Sequence, residues 1–313
     1  MSYASIHITE VGPPEYPLIA TLRDLIFTEA GHRFSTRVED ALADRQDVLA
    51  LIAHLEGNPV GFKVGYRFAP GIYYSWTGGV LKEYRRHSLA RRMQDWQHAF
   101  ARSRGYRSVF FNTSNRFHNM MLFGLDTGFV PVGIERRPEG EISVKFTKDL
   151  THPDPPPWAP ANPAPATLHV ESVSSNYHGL IADMAAQSIR PTTEQEIDQL
   201  LAATDPLALV AFVNEQPAGF TIGSGLGAGR QTYVSHLTAV LPRHRRHGIA
   251  RALAVRQIES ASRLGYRRLR RQIDHANVPM LRLAISTGFD VVGMLHHDPP
   301  AQPSTEIVLE HAL

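Results

Sequence analysis

Apolar positions along the first half of the chain change period several times, and each change marks an element. SIHITEV reads as a strand and PLIATLRDLIFTEAG as an amphipathic helix. DVLALIAHLEGNPVGFKVGYRF reads as a hairpin turning at Gly57-Asn58, and YYSWTGGVL as a further strand. From Ser88 to Arg104, Leu89, Met93, Trp96, Ala99 and Phe100 recur at helical spacing, and Gly105 suits the helix C-cap. SVFFNTS then predicts a strand, FHNMMLFGLDTG a helix, and VPVGIER and EISVKFT two closing strands.

The second half repeats this order. TLHVESV, a helical region through Gln199-Leu200-Leu201, the hairpin LALVAFVNEQPAGFTIGSG and the strand TYVSHLTAVL come first. The helix GIARALAVRQIESASRLG, the strand RRLRRQID, the helix VPMLRLAISTG and the strands DVVGML and TEIVLEH come after them. The copies keep one register: Arg85 recurs as Arg245, Gly105-Tyr106 as Gly265-Tyr266 and Gly128-Phe129 as Gly288-Phe289, all 160 residues apart. A repeat of this size predicts a duplicated domain, not a solenoid. The prolines of THPDPPPWAPANPAPA forbid a continuous helix and favour an extended spacer. The expected organisation is therefore a domain over residues 1–150, a linker over 151–166 and a domain over 167–313. Each is expected to be α/β (α+β), a mixed, mostly antiparallel central sheet flanked by helices.

Composition narrows the chemistry. With 313 residues, 43% hydrophobic and 20% charged, the chain has material for two ordinary cores. It contains no cysteine, which excludes disulfides, thiolate metal sites and a cysteine nucleophile and fits a cytoplasmic protein. The start shows no export signal, and no apolar run is long enough to predict a membrane span. The formal charge is +2, with arginines clustered in RRHSLARR, RHRRHGIAR and YRRLRRQ. Such clusters suit nucleic acid or a local anion site, but no recognised nucleic-acid module surrounds them. Metal catalysis is not expected, because His296, His297 and Asp298 are adjacent and share no helix face.

RRHSLARRMQ, starting at Arg85, and RRHGIARALA, starting at Arg245, occupy the same strand–turn–helix context. The N–H groups of a first helical turn and the helix dipole make that place an anion site. Arg245 and Arg246 can add charge-assisted hydrogen bonds, and Gly248 lets the backbone approach a phosphate.

RRHGIA matches the Arg/Gln-x-x-Gly-x-Gly/Ala motif of the GNAT superfamily of acyl-CoA-dependent N-acetyltransferases, and NVPML…STGF looks like its Asn-x-x-Met helix and closing Gly-Phe. The chain resembles that family over nearly its whole length, as two tandem copies. The resemblance implies acetyl-CoA, with its pyrophosphate on the turn of Arg245, Arg246, His247, Gly248, Ile249, Ala250 and Arg251. It implies strands that splay apart beside Leu237, Ala239 and Val240, where pantetheine pairs like an added strand, with Asn277 and Met280 on the next helix. Asn277 suits either a pantetheine contact or a helix cap. Direct attack by a neutral amine would then complete the transfer, with a small-molecule or peptide amine as acceptor. His236 is the candidate base, with a packed or solvated strand histidine as the alternative. The family's usual tyrosine acid is replaced by Ala284, and by Gly124 in the first copy.

The first copy offers Val80, Arg85, Arg86, Ser88, Leu89 and Ala90 as a second cofactor site. If the Gly248 position needs a positive φ, serine there carries ~1 kcal/mol or more of strain. Ser88 could cap its own helix or bond a phosphate itself. The second copy is thus expected to be the main site. Tyr73, Tyr74, Trp76, Phe110 and Phe111 suggest an aromatic-rich wall around the cleft of the first, most of it expected to be core because strand aromatics usually pack. A regulatory module that binds CoA without catalysis is the alternative function, and a monomer is expected before a homodimer.

Overall fold

Strand LALIAHL carries apolar residues at nearly every position because both its faces are covered, the pattern of a sheet sandwiched between helices. The computed structural model describes residues 6–28, 31, 34–85, 87–138, 140–153, 162–163, 165, 167–227, 229–297 and 304–313. In the first repeat the order is β1 (Ile6–Glu10), α1 (Tyr16–Thr28), α2 (Val38–Leu42), β2 (Leu49–Leu55), β3 (Asn58–Ala69) and β4 (Ile72–Val80). Then come α3 (Leu89–Ser103), β5 (Ser108–Ser114), α4 (His118–Asp126), β6 (Val130–Arg136) and β7 (Ile142–Asp149). The seven strands are ordered β1-β2-β3-β4-β5-β7-β6. Ile19, Leu22 and Ile26 of α1, with Val38 and Leu42 of α2, cover Ala50, Ile52, Phe62 and Val64 on one sheet face.

The second repeat follows the same plan: β8 (Leu168–Ser172), α5 (His178–Ser188), α6 (Glu194–Leu201), β9 (Thr204–Val213), β10 (Gln216–Leu226) and β11 (Thr232–Val240). It continues with α7 (Ile249–Arg263), β12 (Arg268–Asp274), α8 (Val278–Ser286), β13 (Asp290–His297) and β14 (Ser304–Ala312). Its seven-stranded sheet is ordered β13-β14-β12-β11-β10-β9-β8. Ile181, Met184, Ile197 and Leu201 of α5 and α6 pack on Ala208, Val210, Phe220 and Ile222. On the opposite face Ile249 and Leu253 of α7 meet Leu209, Ala211, Val213 and Ala218. Fully burying a side chain such as Leu253 contributes about 2 kcal/mol. Both repeats are thus mixed α/β domains with one parallel strand pair at the centre of a mostly antiparallel sheet.

By backbone contacts the chain divides into two compact units, residues 1–117, 127–131 and 143–155 in one and 118–126, 132–142 and 156–313 in the other. No helix among the described residues is long and apolar enough to cross a membrane.

The likeness of the repeats extends to backbone detail. Asp47 and Asp205 are both left-handed, at φ 50° and 48°. Each accepts a tyrosine hydroxyl on its carbonyl, from Tyr73 and Tyr233. Each also accepts one on its carboxylate, from Tyr106 and Tyr266.

Three sequence expectations shift. The first hairpin turns at Glu56-Gly57, both with positive φ, one residue earlier than expected. The helical region through Leu201 is two helices, because Pro191 falls between them and Thr193 starts α6 with a capping box. The short α2 went unseen, since five residues carry too little periodicity to register.

Gly223 marks the tightest backbone approach in the second sheet. A Cβ there would lie 2.5 Å from the Val234 carbonyl oxygen and 2.8 Å from the Tyr233 ring. Gly223→Ala is therefore expected to cost about 1–3 kcal/mol of stability, read as a lower melting temperature. An unchanged melting temperature would contradict this packing.

Candidate functional site

The second repeat's turn is built from its own strand outward. After β11, Pro242–His244 form one turn of 3-10 helix, and Arg246 and Gly248 both take positive φ, 70° and 79°. Gly248 is the N-cap of α7 and no side chain caps the helix, so the N–H groups of Ile249, Ala250 and Arg251 have no side-chain acceptor. A Cβ on Gly248 would meet nothing within 4 Å, so the glycine serves its φ and leaves open space above the helix end.

The arginine expected to grip phosphate also holds the turn together. Arg245 Nε donates to Val240 O at 3.2 Å and its Nη2 to Ser188 O at 3.1 Å, stapling the turn to the end of β11 and to α5. What the turn presents is first its uncapped backbone N–H groups and the positive end of the helix dipole. The carbonyls on its outer side are used by the stretch expected to be a plain spacer. Asn162 N–H donates to Arg246 O at 2.8 Å and its Nδ2 to Arg245 O at 3.3 Å. His247 Nδ1–H donates to Pro163 O at 2.8 Å, while His247 Nε2 lies 3.3 Å from Asn162 Nδ2.

Above the turn the sheet opens. β11 and β12 pair in parallel only from Thr232–Arg268 to Ser235–Arg271, although β11 runs on to Val240 and β12 to Asp274. On its other side β11 carries a bulge: Leu237 faces Ile222 and Ser235 faces Gly223, so His236 has no partner on β10. His236 Nε2 and Ser224 Oγ share a 2.7 Å hydrogen bond, on the same sheet face as Ile222 and the α5–α6 core. Half-burial holds its pKa below the ordinary imidazole value.

The remaining expected residues fall around this opening. Leu237, Ala239 and Val240 line the stretch of β11 that β12 has left. Arg251 Nη1 reaches Ser286 O at 3.4 Å. Asn277 is the N-cap of α8, its Oδ1 accepting from Met280 N at 3.3 Å, which answers the cap alternative directly. Ala284 is fully buried in α8. His296 and His297 pair with Thr305 and Glu306, while Asp298 lies outside the described residues. Sequence reasoning missed Ser224, because nothing in a hairpin pattern names the residue that will face a bulge.

The first repeat keeps the frame and changes its contents. Its parallel ladder ends at Tyr74–Phe110, Arg85 Nε donates to Val80 O at 3.0 Å, and Leu89 and Ala90 begin α3. Arg86 lies outside the described residues. Ser88 takes the left-handed conformation, φ 58°, as N-cap of α3, and its hydroxyl makes no capping bond. The expectation that Ser88 caps its own helix is therefore corrected: at that φ the side chain is not aimed at the N–H groups, and the residue carries strain instead. Trp76 stands where the second repeat has His236, packed against the α1–α2 core and 6.2 Å from the Tyr66 ring.

The aromatic set packs as expected for strand core, but from both sheet faces rather than as one wall. Tyr74 stacks on Phe110 at 4.5 Å, and Tyr66, next to Tyr74, packs with the α1–α2 core. Phe111 packs instead with Phe129 and Phe146, and Tyr73 with Phe100 of α3. Period-two alternation along β4 and β5 divides the set between faces.

Against known proteins, a family profile described as "Acetyltransferase (GNAT) family" matches residues 177–289, and one described as "Acetyltransferase (GNAT) domain" matches residues 20–118. The chain belongs to the GNAT acetyltransferase family. That membership supports acetyl transfer with an acyl-CoA as its general chemistry. Similar solved structures include the ribosomal-protein-S18-alanine N-acetyltransferase from Escherichia coli, 17% identical over 47% of this chain and 94% of that one, TM-score 0.42. An N-acetyltransferase from Staphylococcus aureus Mu50 is 19% identical over 47% and 99%, TM-score 0.41. A Salmonella typhimurium structure with its cofactor acetyl-CoA is 19% identical over 46% and 93%, TM-score 0.39. No curated protein matches the sequence significantly.

The two helix starts make opposite predictions. Ser88→Gly is expected to raise stability by about 0.5–1 kcal/mol and Gly248→Ala to lower it by about as much, the left-handed penalty outweighing chain entropy. Thermal melts read both, and a stabilising Gly248→Ala would contradict the assigned backbone.

Proposed function

We propose that the second repeat transfers an acetyl group from acetyl-CoA directly to a primary amine of a small molecule or peptide. The observation that carries this reading is the coincidence of three features at one strand: the parting of β11 from β12 after Ser235, the bulge at His236, and the uncapped α7 start at Gly248. The residues present fit a CoA thioester. N–H groups of Ile249, Ala250 and Arg251 suit a pyrophosphate, and the unpaired edge from Leu237 to Val240 suits an amide-bearing arm.

Bound there, acetyl-CoA would supply an activated acyl carbon. His236 is the base. In the tautomer whose Nε2–H donates to Ser224 Oγ, Nδ1 keeps its lone pair for the proton of the incoming ammonium. Because burial lowers its pKa, His236 is neutral, and so competent, throughout the neutral range. The bulge aims His236 to the α5–α6 side, which puts the acceptor on that face. The first repeat lacks the imidazole, with Trp76 at that position, and carries a strained Ser88, so it serves as the weaker or structural copy.

Two measurements test this. Gly248→Trp is expected to weaken acetyl-CoA binding in calorimetry by more than about tenfold, the loss of one or two charge-assisted hydrogen bonds, while Ser88→Trp leaves it nearly unchanged. The reverse ordering would move the site to the first repeat. With an amine panel and release of free CoA as the readout, kcat/KM is expected to rise with pH to a plateau, with the midpoint of the rise below the ordinary imidazole pKa. His236→Gln is expected to remove that limb and cost about 100- to 10,000-fold. CoA-induced stabilisation without turnover on any amine would favour a binding module instead.

A further inference from the structure

Among the described residues, each repeat buries a cation with no carboxylate partner beside the serine where its parallel strands part. In the first it is Lys63 of β3, 7% exposed, whose Nζ donates to Ser75 Oγ at 3.0 Å and which burial pulls down to about 8. In the second it is Arg271 of β12, 2% exposed and paired across the last parallel rung with Ser235, the counterpart of Ser75. The cation has changed strand between the copies, since Phe111 fills the Arg271 position in the first and Thr221 the Lys63 position in the second.

Arg271 is incompletely satisfied. Its Nη2 donates to Gln257 Oε1 at 3.1 Å and its guanidinium lies 5.0 Å from the Phe289 ring centroid, but Nε and Nη1 make no hydrogen bond. Burial lowers its pKa only to about 10, so it stays charged at neutral pH. Leaving such a group unpaired costs several kcal/mol, a cost that a core position filled by Phe111 in the other copy does not require. Alternation on β12 places Leu269, Arg271 and Ile273 on the α7 side, and leaves Arg270 on the other face with Glu310 at 2.6 Å. His236 lies on the α5–α6 face, so Arg271 and His236 flank the opening from opposite sides. The other titratable groups near Arg271 are committed elsewhere: Tyr233 donates to Asp205 O, and His311 holds Gly288 O.

We propose that Arg271 stabilises the departing thiolate of acyl transfer, a role for which Ala284 offers no proton donor. This assignment rests on the acyl-transfer reading of the second repeat. As the amine nitrogen bonds to the carbonyl carbon, Arg271 faces the electron pair that the broken carbon–sulfur bond leaves on sulfur. His236, having passed the ammonium's first proton to solvent, takes the second proton that the amine nitrogen loses once bonded, and the product is the amide.

The test titrates the thiol of CoA bound to the intact protein, following thiolate absorbance in the ultraviolet, with CoA affinity measured alongside by calorimetry. An opposite charge within ~4–6 Å lowers a pKa by roughly 1–3 units, so the bound thiol is expected to be at least about tenfold more acidic than that of free CoA. Arg271→Lys is expected to keep most of that shift, and Arg271→Met to return the thiol to within about threefold of free CoA with its affinity little changed. If Arg271→Met fails to fold, Arg271→Gln is the neutral variant to read. An unshifted thiol in the wild-type complex, or a shift that survives the neutral variant, overturns the assignment alone. Failure of the wild-type protein to bind CoA overturns the acyl-transfer reading with it.

Discussion

The structure of the second repeat depends on one parting of strands. β11 and β12 are held by a parallel ladder only as far as Ser235–Arg271, and beyond it each strand satisfies its backbone with a different neighbour. The bulge at His236 lets β11 keep β10 on one side while turning away from β12 on the other. The consequence is geometric. The freed edge of β11 leads directly into the turn at Arg245, and α7 starts there with its N–H groups uncapped. An uncapped helix start and an open strand edge thus belong to one continuous backbone, in line with the acyl-CoA chemistry of the GNAT family to which the chain belongs.

Duplication preserved that scaffold and let the chemistry drift. Both repeats keep the arginine staple from the turn to the strand end, the left-handed aspartate and the buried central tyrosine. They differ where a reaction would occur: Trp76 against His236, Ser88 against Gly248, and Lys63 with Phe111 against Thr221 with Arg271. Ser88 is the most telling, because a left-handed serine whose hydroxyl makes no capping bond keeps a shape that glycine adopts without strain. The first repeat therefore retains the backbone of the second without its imidazole.

Much of this was legible in the sequence because it depends on local rules. The 160-residue register, the element order and the Gly248 turn are written in periodicity and in one glycine. Even the face of His236 could be read, by alternation with Val234. Alternation also marks Arg271, since RRLRRQID places it between Leu269 and Ile273 on the buried side, but a run of arginines hides one core arginine among solvated ones. Ser224 and the docking of Asn162 on the turn were not legible. They depend on which residues a bulge and a linker bring together across 12 and 83 or more positions of chain. The staple made by Arg245 was not legible for the same reason, as its carbonyl partners, Val240 and Ser188, appear only once the turn is folded.

A structure of the full chain determined with acetyl-CoA tests the central claim most directly. The account predicts a pyrophosphate on the N–H groups of Ile249–Arg251 and a pantetheine arm along Leu237–Val240, with the thioester between His236 and Arg271. A ligand seated only at the Ser88 turn of the first repeat, or on neither turn, would contradict it.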